Sequence, residues 1–383
     1  MVALALALAL AAPTAGEPVL IGLDLEFGHR TSTSATAIKQ GALIAIDEVN
    51  KAGGVLGGRP LAIVERDNRS NPARGVEDFR ELAAMKDLVA VMGGKFSPVF
   101  IEQIPLAHEL GLPLLDPWSA VDAIIDHGRT PSFTFRLSLR DGWAMPALLD
   151  HARTRGLRKI GLLLANTEWG RSNERAARAW LAANPGMSAV GVEYFNFGVT
   201  TLGEPYRALR AAGATAIVLV ANEPEGAVLV KELAALPASD RLPVLSHWGI
   251  TGGDFASLCG AALSAVDLVV VQTFTFAGNE SPVAARVGAA AKRLFGLAPP
   301  EAILSSVGLA HAYDLVHILA RAVDLAGSTD RRAVRDALER VRYEQGLVRR
   351  YGQPFAPDRH EALRPDDLFM ARWNAAGVLV RAR

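Results

Sequence analysis

Residues 37–68, AIKQGALIAIDEVNKAGGVLGGRPLAIVERDN, contain the patterns of a helix, a glycine turn and a buried strand in succession. The first half repeats apolar residues at helical spacing, namely Ile38, Ala42, Ala45, Ile46 and Val49. Gly53 and Gly54 are predicted to end this helix, because glycine adopts the left-handed backbone of a helix C-terminus without steric cost. Residues 61–64 are then predicted to form a strand. Such a helix–turn–strand step indicates an α/β domain, and its glycines lack the GxGxxG order of a phosphate-binding loop.

Length and composition narrow the class of protein. A chain of 383 residues predicts about two domains. Its 40 basic and 40 acidic residues give no argument for a nucleic-acid partner or an acidic membrane surface. Cys259 is the only cysteine, so it forms no intramolecular disulfide and is expected to be a small buried apolar residue.

The first residues resemble a secretory leader. Residues 1–12 are almost purely Ala and Leu, and residues 13–16 are small, as at a signal-peptide cleavage site. We predict a signal peptide over residues 1–16, although no basic residue precedes the apolar run, and a first buried strand or a cloning remnant is the alternative. No later run of about 18 apolar residues occurs, so the mature chain is expected to be soluble.

Strand and helix patterns alternate over the first two thirds of the chain. The predicted strands are 19–25, 61–64, 88–92, 112–115, 133–137, 159–165, 189–195, 216–221, 243–246 and 267–272. The predicted helices between them include 98–110, 142–155, 172–183, 204–212 and 226–236. The C-terminal part is predicted to contain three helices, at 283–295, 302–326 and 331–342, and two strands, at 368–373 and 378–380. Strands separated by single helices predict parallel sheets covered on both faces.

Ligands of open parallel sheets bind beyond the carboxyl ends of the strands. The predicted strand ends are residues 94–97, 117–120, 166–170, 222–223 and 246–251. Trp118, Trp169 and Trp248 all fall in these segments, and aromatic rings beside polar groups suit a small-molecule cleft.

The chain resembles the type I periplasmic solute-binding proteins of ABC transporters, and more narrowly their branched-chain amino acid (Leu/Ile/Val-binding) receptor family. The resemblance covers nearly the whole chain after residue 18. It rests on four segments: GALIAIDEVNKAGGVLGGRPLAIVERDNRSNP (41–72), VMGGKFSP (91–98), GLPLLDPWSA (111–120) and NTEWGRSN (166–173).

The resemblance implies a fold and a function. The fold is α/β, with two Rossmann-like lobes joined by three crossovers, near residue 137, residues 273–276 and residues 346–352. Lobe 1 is expected to comprise 17–137 and 275–347, and lobe 2 to comprise 138–274 and 348–383. The implied function is a periplasmic, non-enzymatic receptor without a cofactor, which closes on its solute and docks on an inner-membrane ABC permease.

The family's binding positions transfer unevenly to this chain. Ser97, with its neighbours Lys95 and Phe96, matches the turn that holds a ligand carboxylate. Further implied contacts are Trp118, Ala120, Trp169 and either Asn222 or Glu223. Ser119 and Trp248, in the predicted strand-end segments, are further candidates. The segment 249–251 is Gly-Ile-Thr, where the amino-acid binders place a glutamate for the ligand's ammonium. The expected solute is therefore an amino acid or another small carboxylate-bearing molecule, aromatic ones included.

Other interpretations of the same residues stay open at this stage. Ser97 alone is typical of a helix N-cap, and Asn222 and Glu223 are typical of caps on the next helix. Lys95 could face solvent as an ordinary surface cation. The tryptophans could belong to the core packing. A cytoplasmic ligand sensor of the same fold is the first alternative function. An α/β enzyme is the second, although the chain lacks a dinucleotide fingerprint and a GxSxG elbow.

Overall fold

Two β-sheets organise the chain, and they confirm the predicted α/β class. The structure is a computed structural model that describes residues 16–28 and 31–382. The predicted leader lies outside the described residues except for Gly16.

The first sheet has five strands, all parallel, in the order β2-β1-β3-β4-β5. These strands are β1 (Val19–Leu25), β2 (Leu61–Asp67), β3 (Leu88–Met92), β4 (Leu114–Asp116) and β5 (Thr134–Arg136). Its helices are α1 (Ser34–Lys51), α2 (Pro72–Ala83) and α3 (Ser97–Glu109). β1 lies between β2 and β3, and its apolar residues Val19, Ile21 and Leu23 are 0% exposed.

The second sheet has seven strands in the order β12-β11-β10-β9-β8-β6-β7. Its parallel strands are β6 (Lys159–Ala165), β7 (Ser188–Phe195), β8 (Ala216–Val220), β9 (Val244–Ser246) and β10 (Leu268–Gln272). The strands β11 (Phe369–Trp373) and β12 (Leu379–Arg381) add to its edge in antiparallel orientation. The intervening helices are α4 (Asp141–Thr154), α5 (Glu168–Ala182), α6 (Gly203–Ala211), α7 (Glu223–Ala235) and α8 (Phe255–Cys259).

The three late helices return to the first sheet. They are α9 (Pro282–Phe295), α10 (Ser306–Ala326) and α11 (Arg331–Leu338). α10 packs along α1, and α11 contacts β3. A Cβ atom built on Gly41 would lie 2.0 Å from the Leu309 carbonyl oxygen, so only glycine permits this close approach of α1 to α10.

The chain also connects the two sheets in its C-terminal part. The Arg136 N–H donates to the His360 carbonyl at 2.8 Å, and the Ala362 N–H donates to the Arg136 carbonyl at 2.9 Å. Residues 360–362 therefore still run beside β5, before β11 joins the second sheet. The lobe bounds drawn from the sequence stay a prediction, but we propose that the third crossing follows Ala362 rather than lying at 346–352.

Several helix bounds differ from those predicted. α5 and α7 begin at Glu168 and Glu223, three or more residues before the predicted starts at 172 and 226. α10 begins at Ser306 instead of 302, because residues 299–302 form a separate short turn around Pro299 and Pro300. The described residues contain no helix that is both long and apolar enough to span a membrane.

Candidate functional site

A cavity lies between the carboxyl ends of the strands of the two sheets. It encloses about 360 Å³ of empty space, part of which opens to solvent. From the first sheet it is lined by Lys95, Phe96, Ser97, Pro98, Trp118 and Ala120. From the second sheet it is lined by Thr167, Trp169, Phe197, Asn222, Trp248 and Gly249. Each of these residues follows a strand end closely, so sheet topology brings them together.

The cavity contains most of the residues that the sequence predicts for a site. Ser119 and Glu223 lie outside its lining, whereas Thr167, Pro98, Phe197 and Gly249 belong to it and were missed. Thr167 and Gly249 fall within the predicted strand-end segments, so a wider selection there would have found them. Phe197 follows β7, whose end was not considered.

The turn after β3 carries the positive side of the site. α3 begins at Ser97, and its N-cap is Phe96, which offers no side-chain cap. Ser97 is therefore the first residue of the helix and not its N-cap. Because the first N–H groups of a helix lack partners within it, this end of α3 attracts anions. The Ser97 hydroxyl and the start of α3 together suit a carboxylate.

An ion pair connects this turn to the second sheet. The Lys95 ammonium lies 2.9 Å from the Glu223 carboxylate, and the two side chains are only 6% and 1% exposed. The Thr31 hydroxyl donates to the same carboxylate at 3.3 Å. Glu223, the first residue of α7, is thus compensated within the protein, and its carboxylate does not face the cavity. Among residues 16–28 and 31–382, no Asp or Glu lines the cavity.

Aromatic rings form the side walls of the cavity. Trp118 and Trp248 lie with ring centroids 5.5 Å apart, and Phe96 and Phe197 with centroids 6.1 Å apart. Each pair joins one residue from each sheet. Rings at these distances pack against each other and make the side walls of the cavity largely apolar.

Asp116 at the end of β4 orients the Trp118 turn. Its carboxylate accepts the N–H groups of Trp118 at 2.9 Å and Ser119 at 2.7 Å. The Ser119 hydroxyl in turn donates to the Gly94 carbonyl at 2.9 Å, so Ser119 joins two strand-end turns. Complete burial raises the pKa of Asp116 to about 8, although the nearby Arg136 guanidinium acts to lower it.

Two glycines fix the position of Trp169 on the opposite wall. A Cβ on Gly170 would lie 1.9 Å from the Ala165 carbonyl oxygen, and a Cβ on Gly249 would lie 2.4 Å from the Trp169 ring. Neither position has room for a side chain, because α5 starts directly against the end of β6 and the indole packs on the backbone of the 247–249 turn.

A buried histidine–aspartate pair supports Trp169 from behind. The His247 and Trp169 rings meet edge to face at 5.0 Å. His247 Nε2 lies 3.1 Å from a carboxylate oxygen of Asp141, and both side chains are wholly buried. Burial raises the pKa of Asp141, while its contact with His247 acts to lower it. Across residues 16–28 and 31–382 no group of three or more His, Cys, Asp or Glu is arranged to hold a metal ion.

Comparisons with known proteins agree with this architecture. The Leu/Ile/Val-binding protein homolog 1 of Brucella abortus (strain 2308) is 26% identical over 329 residues, covering 84% of this chain and 82% of that protein. A branched-chain amino acid transporter substrate-binding protein from Streptococcus pneumoniae, solved with isoleucine, has a TM-score of 0.78 at 20% identity, covering 95% of this chain and 100% of that one.

A third similar protein binds an aromatic acid. The ABC transporter solute-binding protein from R. palustris, solved with 4-hydroxybenzoate, has a TM-score of 0.80 at 17% identity, with 96% of both chains covered. The sequence pattern of a family described as periplasmic binding protein matches residues 19–377. The match spans nearly all the described residues and both sheets, and so the chain belongs to the periplasmic binding protein family.

Proposed function

We propose that the protein is the periplasmic solute-binding component of an ABC-type uptake system, and that it binds a small monocarboxylate without an α-amine. The observation that carries this proposal is the cavity between the two sheets. Its Lys95–Ser97 turn favours an anion, and its lining offers no carboxylate to a cation. The family is one of solute-binding receptors, and we infer that this member binds its solute without catalysing a reaction on it.

The solute carboxylate is proposed to bind at Ser97. The hydroxyl and the N-terminus of α3 supply hydrogen-bond donors, and the Lys95 ammonium, which is also paired with Glu223, lines the cavity beside them. Hydrogen bonds to an ionised acceptor contribute about 1.5–3 kcal/mol each, so this turn can provide a large part of the binding free energy.

An α-ammonium would find no anionic partner in this site. Glu223 is compensated by Lys95 and lies outside the lining, so it does not replace the glutamate that segment 249–251 lacks. A buried charge without a partner is costly to desolvate. The Brucella protein's name and the isoleucine complex would favour an amino acid. The 4-hydroxybenzoate complex shows that this fold also accommodates an aromatic acid.

Closure is proposed to couple binding to transport. Residues from both sheets line the cavity, so a solute between them contacts both walls only when the lobes are together. A ligand shifts such an equilibrium by its differential affinity for the closed state. The closed form is then the one that docks on an inner-membrane permease.

Native mass spectrometry and a thermal-shift panel test the proposed function. We expect a carboxylic acid to stabilise the protein by about 3 kcal/mol at a hundredfold excess over its dissociation constant. Ser97→Ala should weaken binding about 10- to 100-fold, because a hydrogen bond to the carboxylate is lost. Ser264→Ala, at an exposed position of the second lobe, is the matched control. If only amino acids stabilise the protein, if nothing in the panel does, or if Ser97→Ala binds like the control, the proposal fails.

A further inference from the structure

The second-sheet wall of the cavity holds two buried polar atoms without partners. Trp169 Nε1 and Thr167 Oγ1 are both inaccessible to solvent, and neither is hydrogen-bonded within the part of the chain that the structure describes. Both residues line the cavity. The Trp169 side chain is only 9% exposed, so solvent does not satisfy its N–H from outside. Buried polar groups in proteins are normally hydrogen-bonded, and those without a partner in a cleft indicate where a ligand or a bound water completes the set.

Local structure explains why the Thr167 hydroxyl has no partner within the described residues. Thr167 is the N-cap of α5, yet its side chain makes no capping hydrogen bond to the helix. Its backbone N–H donates to the Ala165 carbonyl at 2.8 Å, so the main chain is held while the hydroxyl is not. The indole N–H can only donate, whereas the hydroxyl can donate or accept. A solute oxygen that accepts a hydrogen bond from the indole N–H, and that accepts from or donates to the Thr167 hydroxyl, satisfies both groups.

The charges of the two walls differ. The first-sheet wall has the Lys95 ammonium and the N-terminus of α3. The polar lining of the second-sheet wall consists of Thr167, Trp169 and Asn222, which are all neutral. Asn222 is the N-cap of α7, but its side chain also makes no capping hydrogen bond. One wall therefore suits an anion and the other a neutral hydrogen-bonding group.

We propose that Thr167 and Trp169 select solutes that bear a neutral hydrogen-bond acceptor, such as a hydroxyl or carbonyl oxygen, at the end opposite the carboxylate. This inference rests on the proposed function and narrows its substrate class to monocarboxylates with a distal hydroxyl or carbonyl. Trp169 then acts as a hydrogen-bond donor as well as an aromatic surface. Sites built to bond a hydroxyl discriminate strongly against the analogue that lacks it, because their own polar groups are then left unpaired.

Titration calorimetry with isosteric acids tests the inference. The probes are 4-hydroxybenzoate, 4-methylbenzoate and terephthalate, and an aliphatic pair, 5-hydroxypentanoate and hexanoate. We expect the hydroxyl acid of at least one pair to bind ten times or more tighter than its methyl isostere. Terephthalate should bind weakest of the aromatic set, since its second carboxylate would face the neutral wall.

The variants Thr167→Val and Trp169→Phe assign this discrimination to the two side chains. Each should reduce the preference for the hydroxyl acid over its methyl isostere to about threefold or less, because the hydroxyl acid loses a hydrogen bond that the isostere never makes. Thr200→Val, on the exposed loop before α6, is the control. Circular dichroism checks that each variant is folded. If Trp169→Phe is not folded, Thr167→Val decides the test, because it removes one hydroxyl and keeps the side-chain shape.

The outcomes separate this inference from the proposed function. If the acids bind but hydroxyl and methyl analogues are equivalent, or if the variants keep the full preference, the inference is wrong and the carboxylate receptor stands. If amino acids bind and none of these acids does, the proposed function itself fails and the inference fails with it.

Discussion

Replacing Arg136 with methionine is expected to lower the free energy of unfolding by about 3–5 kcal/mol, the cost typical of breaking a buried ion pair. The guanidinium at the end of β5 is wholly buried. Its Nε donates to Glu361 at 2.9 Å, a second nitrogen contacts the same carboxylate, and a third donates to the Val121 carbonyl at 2.8 Å. The variant leaves Glu361, itself 5% exposed, with only the more distant Arg140 guanidinium at 3.6 Å, and it leaves the Val121 carbonyl without its donor.

Urea unfolding followed by tryptophan fluorescence measures this effect. The control is Arg153→Met, which breaks an ion pair with Asp150 whose side chains are 46% and 49% exposed. Exposed pairs contribute about 0–1 kcal/mol, so the control should hardly change the midpoint. A loss below about 1 kcal/mol in Arg136→Met would contradict the importance of this link between β5 and the 360–362 segment.

Replacing Lys95 with methionine is expected to weaken carboxylate binding about 100-fold or more. The solute loses the cation beside Ser97, and Glu223 becomes a buried carboxylate without its ammonium partner. Removing one member of a buried charge pair costs about 2–5 kcal/mol. Lys95 follows β3 of the first sheet, and Glu223 begins α7 of the second. The two side chains are therefore paired only when the sheets are together, and the cost of the lost pair destabilises that state.

The double variant Lys95→Met/Glu223→Gln separates the two contributions. Neutralising Glu223 removes the buried charge, so closure should recover, as measured by the radius of gyration in solution scattering with a saturating ligand. Carboxylate affinity should recover only in part, because the cation is still absent. Lys51→Met, with a side chain that is 62% exposed, is the control. Wild-type affinity in Lys95→Met would show that this lysine neither supports carboxylate binding nor stabilises the closed state by pairing with Glu223.

Glu223→Gln alone distinguishes the two roles considered for Glu223. If Glu223 only compensates Lys95, the single variant should change the affinities for an acid and for its α-amino analogue by a similar factor. A loss confined to the amino analogue would mean that Glu223 binds the solute's ammonium.

The α/β pattern could be predicted from sequence because buried parallel strands are short apolar runs between helices. β3 and β6 have the bounds predicted from the sequence. The starts of α5 and α7 were placed too late, because Glu168 and Glu223 stand in polar segments that also suit loops. Local sequence does not show that these glutamates already lie in the first helical turn.

The chemistry of the cavity was harder to predict than its position. Strand ends indicated Ser97, Trp118 and Trp169, because topology alone brings them to one edge. The pairing of Lys95 with Glu223 joins residues 128 positions apart, and no local pattern predicts it. The two unpartnered atoms of the second-sheet wall depend on how Gly170 and Gly249 let Trp169 pack, which is a property of tertiary structure.

The most direct test of the central claim is titration calorimetry with a matched pair, 3-phenylpropionate and phenylalanine, together with 4-methylpentanoate and leucine. The members of each pair differ only by the α-ammonium. The described part of the chain places no carboxylate in the cavity lining to compensate that charge, so the deaminated acid should bind about tenfold tighter or more in whichever pair fits. Tighter binding of the amino acid would contradict the account and would require an anionic partner for the ammonium within the site.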